Sequence, residues 1–140
     1  MCMSNRVARI LDANFNRARE ALRVIEDYAR FVQDDPVGCE SVKHLRHDLV
    51  GCIRQLTPQL PPADTPTDAT PPGDPLLSAR NTPGDVGTSI FTTGEQTRAD
   101  AREVCLAATK RLPEALRTIE EYGKTIDAGF AAGVEQLRYR

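Results

Sequence analysis

The segment Arg80-Asn81-Thr82-Pro83-Gly84-Asp85-Val86-Gly87-Thr88 gathers residue types that handle phosphate. Gly84 and Gly87 let backbone N–H groups approach an anion closely. Thr88 offers a hydroxyl, and Arg80 a planar fork for two phosphate oxygens. Asp85 is a hard oxygen ligand suited to Mg²⁺. The segment is not a Walker loop, because no GxxxxGK[ST] pattern is present. The same residues also describe a plain turn capped by an aspartate. No GxSxG occurs, so serine-type hydrolysis finds no support.

A second source of charge is a stretch that occurs twice. Residues 17–28 read RAREALRVIEDY and residues 111–122 read RLPEALRTIEEY, identical at eight of twelve positions. At ~100° per residue, Ile10, Asn14, Ala21, Ile25 and Val32 share one face, an amphipathic core stripe. Arg17, Val24 and Tyr28 lie along its border with Glu20 just outside, one turn from Arg17, and Arg111, Glu114 and Tyr122 repeat that border in the second copy. Matched apolar residues would suffice for a structural pair. Matched charges point either to ion pairs on solvated helices or to one site built by both copies. Asn14 lies mid-stripe, read either as a satisfied core amide or as a ligand contact. His44-Leu45-Arg46-His47-Asp48 and Lys110-Arg111 add further cations. Together these suggest an anion site of Arg17, Arg46, Arg80, Lys110 and Arg111, with Asp85, Glu20 and Glu114 as metal or cation partners.

The elements that must position these groups are helical. Apolar spacing predicts a first helix from about Asn5 to Gln33, ended by Asp34-Asp35-Pro36. A second helix carries Val42, Leu45, Leu49, Cys52, Ile53 and Leu56, with Asp35 as cap and Pro36 at its first position. Residues 57–75 hold seven of the ten prolines and read as an exposed linker. A third helix is expected from near Gly94-Glu95 to Tyr122, kinked or restarted at Pro113 and stopped by Gly123. A fourth runs from about Ala128 to Tyr139. No strand is expected. The fold class is all-α, a single domain over 1–140 (two long repeated helices, two shorter ones and the glycine-rich loop) in which Arg17–Tyr28 packs against Arg111–Tyr122.

Composition narrows the function classes. A formal net charge of −2 argues against a general nucleic-acid binder. No apolar run reaches membrane-spanning length, and MCMSNR has no apolar signal region. A cytoplasmic protein is expected. The four cysteines show no CxxC spacing, so a structural zinc site is not expected.

With ARILDANFNRAREALRVIEDYARF, LRHDL, ARNTPGDVGTSI, KRLPEALRTIEEYGK and EQLRYR in order, the chain resembles the small hydroxymethylpyrimidine-phosphate kinases of thiamine biosynthesis. These stand alone or are fused in front of thiamine-phosphate synthase. The resemblance implies ATP- and Mg²⁺-dependent conversion of 4-amino-5-hydroxymethyl-2-methylpyrimidine phosphate to the diphosphate. Motif positions carried over as site residues include Asn14, Arg17, Glu20, Tyr28, Arg46, His47, Arg80, Gly84, Asp85, Gly87, Thr88, Lys110, Arg111, Glu114 and Tyr122. Asp85, Arg80 and Lys110 are assigned to catalysis. The chain departs from the pattern at Ala108, where Asn would echo Asn14, and at Pro113.

An anionic acceptor oxygen needs no strong base, so such a reaction rests on positioning and charge neutralisation. The competing expectation is a non-catalytic helical domain that dimerises or regulates a fused synthase. A homodimer and a synthase partner are both expected on that reading.

Overall fold

The computed structural model describes residues 3–60, 74–92 and 97–140. Its helices are α1 (Met3–Phe31), α2 (Pro36–Leu56), α3 (Pro75–Ser78), α4 (Ala101–Gly123) and α5 (Ala128–Arg138), with a 3₁₀ turn at Thr57–Gln59. No strand occurs among the described residues, so the fold is all-α as expected. The expected contrast of two long and two shorter helices is softened, since α2 has 21 residues against 23 in α4.

Aspartates punctuate the chain. Asp35, Asp74, Asp100 and Asp127 each cap a helix N-terminus, accepting from the N–H of Val37, Leu76, Glu103 and Phe130. Each satisfies a donor that the first turn leaves unpaired. At the end of α1, Asp34 takes a left-handed conformation (φ 49°), and the Asp35 N–H donates to the Ala29 carbonyl at 2.8 Å. That reversal stops α1 at Phe31 rather than Gln33. Val32, expected in the core stripe, therefore lies past the helix end and is exposed. Pro113 does not restart α4, which runs unbroken from Ala101. Its ring is on the exposed side of the helix.

α1 and α4 form the central pair. Glu20 of α1 meets Arg111 of α4, while Asn14 shares a cleft with Thr118 and Tyr122, so the two run antiparallel. The repeated segments therefore pack against each other, as expected. α2 covers α1, and α5 covers α4 and also touches α2. Leu11, Leu49, Leu56, Ile119 and Val134 are fully buried at the centre. The matched pairs Leu22/Leu116 and Leu45/Leu137 line one apolar cavity of about 150 Å³. The chain is thus two similar helical hairpins facing each other.

The stretch expected as a linker over 57–75 has packed ends. Leu60 and Leu76 are both buried against the core, and Thr57–Gln59 is helical. Residues 61–73, which carry most of that expectation, lie outside the described residues. So do Gly94 and Glu95, the expected start of the third helix. The observed start is Ala101, behind its Asp100 cap.

Gly123, the last residue of α4, leaves room for Phe130. A Cβ there would lie 2.6 Å from the Phe130 ring. Phe130 in turn meets Phe15 edge to face, with centroids 6.1 Å apart. Gly123→Ala is expected to destabilise the fold by about 1–3 kcal/mol through overpacking. Urea unfolding checks this, and an unchanged midpoint would show that α5 shifts freely.

Candidate functional site

Arg80 is held before any ligand could reach it. Its Nε donates to Asp12 Oδ2 at 2.6 Å and its Nη2 to Asp12 Oδ1 at 2.9 Å. Asp12 is buried on α1, while about half of the Arg80 side chain faces solvent. The hydrogen bond to the Asp12 carboxylate raises the Arg80 pKa further above its already high value. Its two-pronged geometry uses the fork that was expected to grip phosphate. Arg80 therefore anchors the loop to α1. An aspartate on the apolar face beside Leu11 and Phe15 was the sequence signal for this partner.

The loop glycines are likewise occupied. The Gly84 N–H donates to Asn81 Oδ1 at 3.1 Å, and the Gly87 N–H to Asp85 Oδ1 at 2.9 Å. The Thr88 hydroxyl donates to the Asp85 carbonyl at 2.9 Å. Asn81 and Asp85 thus close two consecutive turns. The geometry is that of capped turns, not of a nest of free N–H groups.

Beside this anchored loop, α1 and the end of α4 form an open cleft of about 770 Å³. Arg6, Arg9 and Arg17 line it, and no described carboxylate pairs with them. Asn14 is buried there. Its Nδ2 donates to the Ile10 carbonyl at 2.8 Å, and its Oδ1 accepts from Arg17 at 3.4 Å. Tyr122, 40% exposed, provides an aromatic wall. Asn81, Thr82 and Asp85 complete the rim. Arg80 and Asp12 line the cleft too and neutralise each other, which leaves Arg6, Arg9 and Arg17 facing one further carboxylate, Asp85; that balance suits an anion, and the tyrosine suits a flat ring.

Other residues expected in one site fall elsewhere. Arg46 and His47 line a separate groove between α1 and α2. Arg111 is bound to Glu20 at 3.0 Å. Lys110 and Glu114 are exposed on α4 and line neither region, and Tyr28 is half-buried away from the cleft. The three carboxylates named for Mg²⁺ are not brought together. Asp85 is on the cleft rim, Glu20 lines a different surface pocket, and Glu114 is on the outer face of α4. No group of three acidic, His or Cys residues suited to a metal occurs among the described residues. The donor set present therefore does not fit a three-carboxylate magnesium site.

The repeat's charges serve a different purpose. Glu26 and Glu120, identical in the two copies, are both buried. Glu120 accepts from Arg117 Nη1 at 2.7 Å and from Arg138 Nε at 3.0 Å. Glu26 has Arg46 Nη2 at 3.3 Å. Each glutamate thus meets an arginine from the next helix of its own hairpin, and Leu45-Arg46 echoes Leu137-Arg138. Extending the comparison beyond the twelve repeated residues would have found that echo.

A family model described as the ThiD2 family matches residues 9–140. A thiamine-phosphate synthase of Rhodopirellula baltica is 45% identical over 98% of the chain. Thiamine-phosphate synthases of Synechocystis sp. and Nostoc punctiforme are 41% and 37% identical over 96% of it. The chain spans about a third of the length of these relatives: 32%, 34% and 33%. No solved structure is significantly similar to it. These names correct the phosphotransferase activity assigned from the resemblance, because the relatives are named for a synthase and not for a kinase. Arg80 is committed to Asp12, Asp85 closes its own turn, and Lys110 does not line the cleft. No described helix is long and apolar enough to cross a membrane.

Proposed function

Since the chain belongs to the ThiD2 family, in thiamine biosynthesis, we propose that it is a non-catalytic, ligand-binding regulatory domain of a thiamine-phosphate synthase protein. Its ligand is a phosphorylated pyrimidine held in the cleft between α1, α4 and the anchored loop. The observation that carries this reading is the set Arg6, Arg9 and Arg17, without a carboxylate partner among the described residues, facing Tyr122 across one cleft. The arginines take the phosphate, and Tyr122 with Asn14 takes the ring. Arg80 and Asp12 are positioning residues that keep the loop against α1 and so keep the cleft's rim in place. Occupancy of the cleft is read by the synthase portion to which such a domain is joined.

Calorimetric titration with 4-amino-5-hydroxymethyl-2-methylpyrimidine phosphate tests the binding. Saturable binding is expected, with the unphosphorylated alcohol much weaker. Arg17→Gln should weaken binding roughly tenfold or more, the scale of one hydrogen bond to a charged group. The chain should remain helical by circular dichroism. No saturable heat, or an Arg17→Gln variant that binds as tightly as the parent, would remove this reading.

A further inference from the structure

The two hairpins meet over a space that their side chains do not fill. Leu22 of α1, Leu45 and Leu49 of α2, Leu112 and Leu116 of α4 and Leu137 of α5 enclose a pocket of about 150 Å³. Four helices thus reach it, and each hairpin contributes matched leucines to its wall. Leu22, Leu49, Leu116 and Leu137 are buried, whereas Leu45 and Leu112 are half-buried. Pro113, Arg138 and Arg140 complete the lining. Pro113 is exposed and about half of the Arg140 side chain faces solvent, so these residues mark the mouth.

The chemistry of the lining defines what the space accepts. Protein interiors are close-packed, with few voids larger than a water molecule, and this pocket exceeds that size. Water is poorly held in it, because a buried water needs about two to four polar partners and leucine supplies none. The polar groups at the mouth are already committed. Arg138 Nε donates to Glu120 Oε2 at 3.0 Å, and Arg140 Nη1 donates to Asp48 Oδ2 at 2.7 Å. Each guanidinium is offset by its carboxylate, so the mouth favours neither an anion nor a cation. Because the lining leucines are buried or half-buried, the apolar surface ends inside the pocket. It does not spread over the outside as a protein-docking patch would. Apolar protein cavities of about this size stay dry and admit benzene or xenon.

We propose that this pocket is a binding site for a small, neutral, apolar molecule of about benzene size. Removal of the ligand's surface from water, together with contact against walls already formed, drives binding. The bound molecule touches α1 and α2 on one side and α4 and α5 on the other, so it strengthens the docking of one hairpin on the other. The pocket shares no lining residue with the Arg17 cleft and does not rest on the reading of that cleft.

Thermal unfolding of the whole chain with benzene, benzoate and benzylammonium tests the proposal. Benzene should raise the midpoint by at least about 3 °C near saturation, through selective binding to the folded state. The two charged analogues carry the same ring and should leave the midpoint nearly unchanged. Methyl NMR signals of Leu22, Leu49 and Leu116 should move as benzene is added. Leu45→Phe and Leu112→Phe, made separately at the half-buried positions, fill the space and should each abolish the benzene effect. Where one variant does not fold, the other decides, and the methyl signals of the parent chain need neither. An unchanged midpoint with unmoved leucine methyls would overturn the proposal. So would equal stabilisation by benzoate, or a benzene effect that persists in both phenylalanine variants. A dimer in sedimentation that benzene dissociates would overturn it in favour of a side chain from a second copy.

Discussion

Glu120→Ala is expected to destabilise the fold by about 3 kcal/mol. Only 3% of the Glu120 side chain is exposed, and it collects Arg117 at 2.7 Å, Arg138 at 3.0 Å and Lys124 at 3.7 Å. Its removal leaves Arg138, 18% exposed, with the Tyr139 hydroxyl at 3.4 Å and, among the described carboxylates, Glu135 at 4.0 Å. An arginine that has lost most of its water and then its carboxylate is the expensive case of a broken buried pair. The effect sits at the low end of the usual range because Arg117 and Lys124 are half-exposed and rehydrate. Glu26→Ala should cost clearly less, since Glu26 holds a single guanidinium at 3.3 Å and already leaves Oε2 unsatisfied. Urea unfolding of both variants measures the difference. Equal losses would show that Glu120 owes its burial to packing and not to its three cations.

Phe15→Ala should cost about 3–5 kcal/mol, from lost transfer energy and the cavity left behind. Phe15 is 2% exposed and stands edge to face with Phe130, which closes over Gly123. One ring thus touches the contact by which α1, α4 and α5 are joined. The pairing of the two rings adds to the area buried. Phe15→Leu should recover much of the loss because it refills the volume. Unfolding midpoints with unchanged slopes would attribute the change to stability alone. A loss below about 1 kcal/mol for Phe15→Ala would mean that the three helices repack without it.

The helices were legible because their signals are local. Asp35-Pro36 announced α2, Gly123 announced the end of α4, and three-four spacing of apolar residues located each buried face. The boundary errors were local too. Val32 continues the stripe in sequence, but Asp34 turns the chain left-handed two residues later. Of the kink or restart expected at Pro113, the restart does not occur, because the proline removes only one helix donor while the flanking turns stay anchored by Leu112 and Leu116 in the core.

The site was less legible, because residue type states what a group can bind and not what it already holds. Arg80, Asp85 and Gly87 have the chemistry of a phosphate loop. Three dimensions place Asp12, 68 positions away in the chain, against Arg80, and that contact turns a candidate catalytic fork into an anchor. Arg17 and Arg46 likewise look equivalent along the chain, but the packing of α1 sends Arg17 to the α4 side and leaves Arg46 on α2 in another groove.

Periodicity, capping residues and the repeat are properties of short windows, and they were enough for an all-α chain whose two copies pack together. Which cations are satisfied and which are free is a property of distances under about 4 Å between segments remote in the chain. Glu120 locks two arginines and Glu26 only one, although the repeated sequences around them are nearly the same. Only the approach of α2 and α5 to the central pair makes that distinction, because desolvation and pairing energies change within a few ångströms.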